Sequence, residues 1–312
     1  MIKEKKSKLI NHIQFLRAVS VLLVFFYHLK IDFFNFGYLG VDIFFVISGY
    51  VITSRILIEY EKNKTFSFSN FYIRRLKRIY PVLIFVFSTV LIIIIFFQPL
   101  DLFLNNLRVY FFTILGISNF HYLFSSKDYF DTVFDDPFAH SWSLGVEEQF
   151  YIIFPLFLIL VINLLKNNLI KLAFIFTLIL TGAYFTYIYS SNLKLIFYFS
   201  VFRFWEFLLG TFVFLISKKV KKNYYLSLIF FIIAFILIFI FNKFNPVLLI
   251  FLVTLSSSLF LLFYKENNYG KLFFENNLSV FLGNISYSFY LWHLPIIYFF
   301  NLYFDGNLVK IV

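Results

Sequence analysis

The chain has 312 residues, of which 61% are hydrophobic and only 14% are charged. This composition excludes a soluble globular protein. Cysteine is absent, which excludes disulfides, thiolate nucleophiles and cysteine-ligated metal sites. The formal net charge is +11, but basic residues in a membrane chain mainly fix its orientation, so no nucleic-acid partner is needed to explain them.

Apolar stretches long enough to cross a bilayer recur along the chain. They predict an all-α, polytopic membrane helix bundle with about nine spans. A shorter apolar stretch at 109–124 is interrupted by Gly116, Ser118, Asn119 and His121, so we predict a re-entrant or interfacial helix there. The nine predicted spans are residues 13–29, 39–58, 82–97, 149–165, 172–189, 197–216, 225–241, 247–263 and 285–304.

Basic residues are distributed unevenly between the predicted loops. With a cytoplasmic N-terminus, nineteen Lys and Arg residues lie inside and six lie outside, which is the bias expected of that orientation. Counting 109–124 as a full span would move the basic cluster 218–222 outside, so the charges favour the re-entrant interpretation. Segment 98–148 is then extracytoplasmic. Its acidic residues near the next span are Asp128, Asp131, Asp135, Asp136, Glu147 and Glu148.

The first predicted span carries two ionisable residues, Arg17 and His28. Eleven residues of α-helix complete about three turns, so both side chains point to one face, about 16 Å apart along the axis. Charged groups inside a membrane are costly and often mark functional sites. Two interpretations remain open: a catalytic or transport lining, or an arginine that reaches the cytoplasm and a histidine at the interface.

Further polar residues lie in other predicted spans. Asp42 needs a partner within the membrane, for which Arg17 and His28 are candidates. Arg203 and Glu206 are spaced to pair on one helix face, and we interpret that pair as structural.

Two more segments leave functional and structural interpretations open. His293 lies two residues before Pro295, where a packing kink and a functional site are equally compatible with the sequence. The basic segment 74–81 begins the third span. Arg75 and Arg78 share a helix face and are suited to hold phosphates, although the residues alone favour an anchor to anionic lipid.

Five short motifs occur in a fixed order from residue 15 to residue 295, and together they resemble the membrane acyltransferase-3 family. Members of this family are integral-membrane enzymes that acylate bacterial surface carbohydrates. The motifs are Phe15–Ala18 with His28 beyond it, Gly40–Gly49, Arg75–Pro81, His140–Tyr151 and Tyr287–Pro295.

The resemblance implies a single transmembrane acyltransferase domain over residues 1–312. Its activity would be transfer of an acyl group, most often acetyl, from cytoplasmic acyl-CoA to a hydroxyl group. The acceptor would be a cell-surface polysaccharide or its lipid-linked precursor. The donor is acetyl-CoA or another acyl-CoA, no metal is implied, and the expected location is the bacterial inner (cytoplasmic) membrane.

The resemblance also assigns roles to individual residues. His28 would be the general base or would relay the acyl group, and Arg17 would orient substrate or stabilise a developing oxyanion. Arg75 and Arg78 would hold the phosphates of CoA. The residues expected on the acceptor side, or as structural support, are Asp42, Trp142, Glu147, Glu148, Tyr151 and His293.

The sequence departs from the family in two respects. It has no appended extracytoplasmic hydrolase-like domain, and it stops at Val312, where relatives continue into another span. We therefore expect either a compact variant or a truncated reading frame. The alternatives to an enzyme are a transporter or flippase for a glycan precursor and a truncated, non-catalytic relative.

Overall fold

The computed structural model describes residues 11–125, 136–241, 245–265 and 268–303. Across these ranges the secondary structure is helical, without a β-strand, which confirms the predicted all-α class. Several predictions fall outside the described residues. They concern the lysine-rich start, the acidic residues Asp128, Asp131 and Asp135, and the end of the chain.

The helices follow the apolar stretches of the sequence and are numbered here in chain order. Short 3-10 turns at Asp32–Phe34, Gly37–Leu39 and Ser200–Phe202 connect some of them. The α-helices are α1 (Asn11–His28), α2 (Gly40–Asn63), α3 (Phe68–Phe97), α4 (Leu100–Ile114), α5 (Ser118–Leu123), α6 (Ser141–Leu164), α7 (Asn168–Ile188), α8 (Leu193–Tyr198), α9 (Phe204–Ser217), α10 (Tyr224–Phe241), α11 (Pro246–Phe263), α12 (Asn268–Phe274) and α13 (Asn277–Tyr303).

Six segments of the described chain are long and apolar enough to cross a membrane. They match six of the nine predicted spans. The other three predicted spans coincide with α1, α10 and α13, and their crossing of the membrane stays a prediction. The six segments are Gly37–Asn63, Phe68–Phe97, Ser141–Leu164, Asn168–Ile188, Ser200–Ser217 and Pro246–Phe263.

The apolar stretch 109–124 contains a helix break. Helix α4 ends at Ile114 and α5 begins at Ser118. Between them Gly116 has a φ of 69°, in the left-handed region that glycine adopts without a steric penalty. The interruption expected at Gly116 is therefore confirmed, while the location of this segment at the membrane surface stays a prediction.

The chain forms two compact units. In unit 1, α2 and α9 pack closely through glycines. A Cβ atom on Gly49 would overlap the carbonyl oxygen of Phe207, and one on Gly210 would overlap that of Val46. Small residues let helix backbones approach in this way. Unit 1 comprises Met1–Arg55, Leu165–Ile188 and Phe204–Tyr287, and unit 2 comprises Ile56–Leu164, Tyr189–Arg203 and Ser288–Val312.

A buried polar network stabilises unit 2. The Gln149 side-chain amide donates to the carbonyl oxygen of Gly116 at 2.9 Å and to Asn119 Oδ1 at 2.8 Å. Asn119 Nδ2 donates in turn to the carbonyl oxygen of Tyr198 at 3.0 Å, and the hydroxyl of Ser200 donates to Gln149 Oε1. These bonds tie the α4–α5 break and the segment before α9 to α6.

We predict that Gly49→Ala destabilises the protein by about 1–3 kcal/mol, the usual cost of overpacking a tight contact. Thermal unfolding of the detergent-purified chain would measure this. Ala173→Val is the matched control, because it enlarges a side chain that is exposed on α7. Equal unfolding temperatures for Gly49→Ala and the unmodified chain would contradict the close approach of α2 and α9.

Candidate active site

The ten predicted site residues divide between the two units. Arg17, His28 and Asp42 belong to unit 1. The other seven belong to unit 2: Arg75, Arg78, Trp142, Glu147, Glu148, Tyr151 and His293.

His28 is the last residue of α1, and its hydrogen bond shows which ring nitrogen carries a proton. Helix α1 runs unbroken from Asn11, so the geometry that places Arg17 and His28 on one face applies. His28 is buried, and its Nδ1 lies 2.8 Å from the carbonyl oxygen of Val24. A carbonyl only accepts hydrogen bonds, so Nδ1 carries a proton, and Nε2 is the basic nitrogen whenever the ring is neutral.

Asp42 is fully buried in the first turn of α2. The start of this helix lies against α1, because Cβ atoms on Gly37 and Gly40 would overlap the carbonyl oxygens of Leu23 and Ser20. The partial positive charge of a helix N-terminus favours a carboxylate at this position. The same unit therefore holds Asp42 next to the helix that carries the two candidate catalytic residues, and the specific partner of Asp42 stays a prediction.

The basic segment of α3 separates into three environments. Arg74 pairs with Glu59 at 2.8 Å, and Arg78 is exposed. Arg75 is half-buried, and its guanidinium carbon lies 4.5 Å from the centre of the Tyr151 ring. Arg75 Nη2 is buried and makes no hydrogen bond within the described residues. Arg75 thus has an aromatic contact and unused donor capacity, whereas Arg74 is already paired with a carboxylate.

Tyr151 links this arginine to a glutamate of α6. Its hydroxyl donates to Glu147 Oε1, one helical turn earlier. The negative carboxylate and the face of the aromatic ring both favour a cation beside them. Arg75, Tyr151 and Glu147 therefore form one connected group. Tyr151, expected on the acceptor side, contacts Arg75, expected on the donor side.

Glu148 points to different neighbours from Glu147. It is only 9% exposed, and its Oε2 accepts from the Tyr80 hydroxyl at 3.1 Å. A Cβ atom on Gly116 would lie 2.6 Å from the same oxygen, so glycine leaves the room that this carboxylate occupies. Glu148 Oε1 makes no hydrogen bond within the described residues. The sequence left open which glutamate faces inward, and within unit 2 Glu148 is the buried one.

Trp142 and His293 are both buried in unit 2. The guanidinium carbon of Arg203 lies 5.9 Å from the centre of the Trp142 ring. The His293 ring lies 5.3 Å from that of His140, and the Tyr290 hydroxyl donates to the carbonyl oxygen of His140 at 3.0 Å. The motif at 287–295 therefore packs directly against the start of the motif at 140–151.

Sequence reasoning missed two contributors to these contacts, Tyr80 and Tyr290. Both belong to the motifs named above, and a tyrosine in an apolar helix is usually a packing residue. Their hydroxyl groups were the available signal, since a buried hydroxyl normally needs a partner.

We predict that Tyr80→Phe destabilises the protein by about 1–3 kcal/mol, because it removes the hydroxyl that lies within hydrogen-bond distance of both the buried Glu148 carboxylate and the carbonyl oxygen of Ile114. Thermal unfolding in detergent would measure the loss. Tyr187→Phe is the matched control, since Tyr187 is 64% exposed. If the two variants unfold at the same temperature, the hydrogen bonds of the Tyr80 hydroxyl contribute nothing to stability.

Comparison with known proteins defines the class. The acyltransferase-3 family, described as an acyltransferase domain, matches residues 10–311. The chain therefore belongs to this family of acyltransferases, and with its several apolar helices it is a multi-pass membrane protein.

Individual relatives are O-acetyltransferases of Staphylococcus aureus and Listeria monocytogenes. The chain is 33% identical over 317 residues to O-acetyltransferase OatA of Staphylococcus aureus, an alignment that covers 93% of this chain and 51% of that protein. It is 32% identical over 313 residues to peptidoglycan O-acetyltransferase OatA of Listeria monocytogenes, covering 93% and 50%. The chain spans about half the length of these relatives. No solved structure matches it.

Proposed function

We propose that this chain transfers an acyl group, most often acetyl, from cytoplasmic acyl-CoA to a hydroxyl of a cell-wall polysaccharide or its lipid-linked precursor. Membership of the acyltransferase-3 family supports acyl transfer. The names of the two relatives, an O-acetyltransferase and a peptidoglycan O-acetyltransferase, support a hydroxyl acceptor and a glycan. Residues 1–312 would act as one transmembrane domain.

The environment of Arg75 is the observation that carries the donor half of the proposal. Its guanidinium is held against Tyr151, and one buried nitrogen has no hydrogen-bond acceptor within the described residues. A buried donor without a partner is costly, and a phosphate oxygen would supply the acceptor. CoA is rich in phosphates. Arg78 is exposed and lies about one turn beyond Arg75 on α3. It would add a second cation.

The hydrogen bond at His28 Nδ1 supports a role for this residue in the transfer of the acyl group. With the proton on Nδ1, Nε2 can take the proton of an acceptor hydroxyl. The hydroxyl oxygen then bonds to the acyl carbon of the thioester, the carbon–sulfur bond breaks, and the proton leaves with CoA as its thiol. In the alternative route the acyl group passes through His28 itself. Arg17 would orient the substrate or stabilise the oxyanion formed on the way.

The distribution of charge supports the location. An excess of Lys and Arg in alternate loops is typical of an N-terminus in the cytoplasm. The basic turn of α3 then faces the compartment that contains acyl-CoA. The membrane would be the bacterial cytoplasmic membrane.

We predict that His28→Ala lowers glycan O-acetylation at least about 100-fold, the lower bound for loss of a general base. The measurement is the O-acetyl content of cell-surface glycan in a deletion strain that expresses the unmodified chain or the variant at equal membrane abundance. Normal O-acetylation with His28→Ala would exclude the assigned role. Movement of a glycan precursor without acetyl-CoA would favour the transporter hypothesis instead.

We predict that Arg75→Ala weakens acetyl-CoA binding about tenfold or more, since a charged hydrogen bond contributes about 1.5–3 kcal/mol. Titration of the detergent-purified chain with acetyl-CoA would measure the dissociation constant. Arg74→Ala is the matched control, because Arg74 is neighbouring, equally charged and already paired with Glu59. If both substitutions weaken binding equally, the effect is general electrostatics and the specific role of Arg75 is wrong.

A further inference from the structure

Unit 2 contains a cavity of about 630 Å³ that the proposed donor and catalytic residues do not line. It lies against α4 and α5, in the segment predicted to be extracytoplasmic. This volume is within the range of small-ligand sites, about 300–1,000 Å³. The lining residues that matter here are Asn105, Arg108, Phe112, His121, Phe124 and Asp136.

The wall of this cavity is held by buried hydrogen bonds. The Ser118 hydroxyl donates to the carbonyl oxygen of Ser141 at 2.7 Å, which ties the start of α5 to the start of α6. The Tyr122 hydroxyl donates to Asp136 Oδ2 at 2.9 Å. Since Ser118 and Tyr122 are almost completely buried, α5 is fixed on two sides. Helix α5, which contributes His121 to the lining, is therefore held in place.

The lining holds one charge of each sign, Arg108 and Asp136, and the two differ in what they offer a ligand. Both carboxylate oxygens of Asp136 accept hydrogen bonds from the protein, Oδ2 from Tyr122 and Oδ1 from the Phe138 backbone at 2.8 Å. Arg108 is exposed and forms no ion pair with any described residue. A carboxylate on the ligand would complement this arginine.

His121 gives the cavity a group suited to hydroxyls. Its ring packs 5.3 Å from that of Phe112 and is half-buried. Burial lowers the pKa of His121, and the positive charge of Arg108 lowers it further. The ring is therefore neutral near pH 7, with one nitrogen that donates and one that accepts. A sugar hydroxyl also donates and accepts hydrogen bonds, so the His121 ring and a sugar hydroxyl can bond to each other in either direction.

Phe124 provides an apolar face beside these polar groups. Its side chain is 81% exposed although the residue immediately follows α5. The aliphatic C–H face of a pyranose ring packs well on the negative face of an aromatic ring. A single aromatic platform next to a few polar groups is typical of a site that orients a ligand.

We propose that this cavity binds an acidic saccharide, with Arg108 on its carboxylate, His121 on a hydroxyl and Phe124 under a sugar ring. The inference rests on the proposed function, because it assigns the glycan acceptor, or a segment next to the acylated hydroxyl, to unit 2. It adds a chemical requirement for a carboxylate. The residues involved are separate from those assigned to the donor and to the catalytic step.

The test compares two disaccharides on the detergent-purified full chain by titration calorimetry. N-acetylglucosaminyl-N-acetylmuramic acid carries a carboxylate, and di-N-acetylchitobiose does not. We expect the acidic sugar to bind at least about tenfold more tightly. Arg108→Ala should remove that preference while leaving the weaker affinity for the neutral sugar unchanged, and Phe124→Ala should weaken both. Lys219→Ala is the charge control, since it removes an exposed cation from unit 1.

Several outcomes would overturn the inference. They are equal affinity for the two sugars, no binding of either, or an Arg108→Ala variant that keeps the preference. The thermal unfolding temperature of each variant shows whether it is folded, and acetyl-CoA binding is measured on the same samples. The acetyl-CoA measurement separates the two proposals: sugar binding without acetyl-CoA binding would overturn the proposed donor while the cavity assignment holds, and the reverse result would overturn only the cavity assignment.

Discussion

Polar groups buried in so apolar a chain must find their partners within the protein, because lipid offers none. In unit 2 this constraint is met around the break at Gly116. The helix ends at this break, and Gln149 donates a hydrogen bond to the carbonyl oxygen of Gly116. The same break makes room for the Glu148 carboxylate. The buried glutamate and the polar network therefore meet at one glycine in a left-handed conformation.

Much of the fold follows from the sequence, because long apolar stretches have few alternatives to a helix in a membrane. The interruption of the helix at Gly116 could also be predicted from the sequence, because polar residues cluster beside it. The ends of the helices were harder to predict from the sequence. Apolarity alone predicted a span from residue 82, whereas α3 begins at Phe68, because basic residues are good helix formers and extend a helix beyond the membrane.

The candidate site was harder to read than the fold. The motifs identified ten residues, but adjacent glutamates on a helix point about 100° apart, and only tertiary contacts show that Glu148 is the buried one. Likewise Arg74 and Arg75 are neighbours of one type, but Arg74 pairs with Glu59. Arg75 lies against Tyr151 with one buried nitrogen that makes no hydrogen bond within the described residues. Both partners are distant in sequence, so no local pattern contains that information.

The length of α3 carries a consequence for how the proposed donor site meets the membrane. Its 30 residues rise about 45 Å, against about 30 Å for the hydrocarbon core. With the apolar part of this helix, residues 82–97, within the bilayer, the basic turn would stand at the level of the lipid headgroups, where phospholipid phosphates compete with any soluble anion. Exposed Arg78 shares this environment with the lipid, whereas Tyr151 covers one face of Arg75. Arg75, which the Tyr151 ring shields, would then be the residue that selects a soluble thioester over the surrounding headgroups.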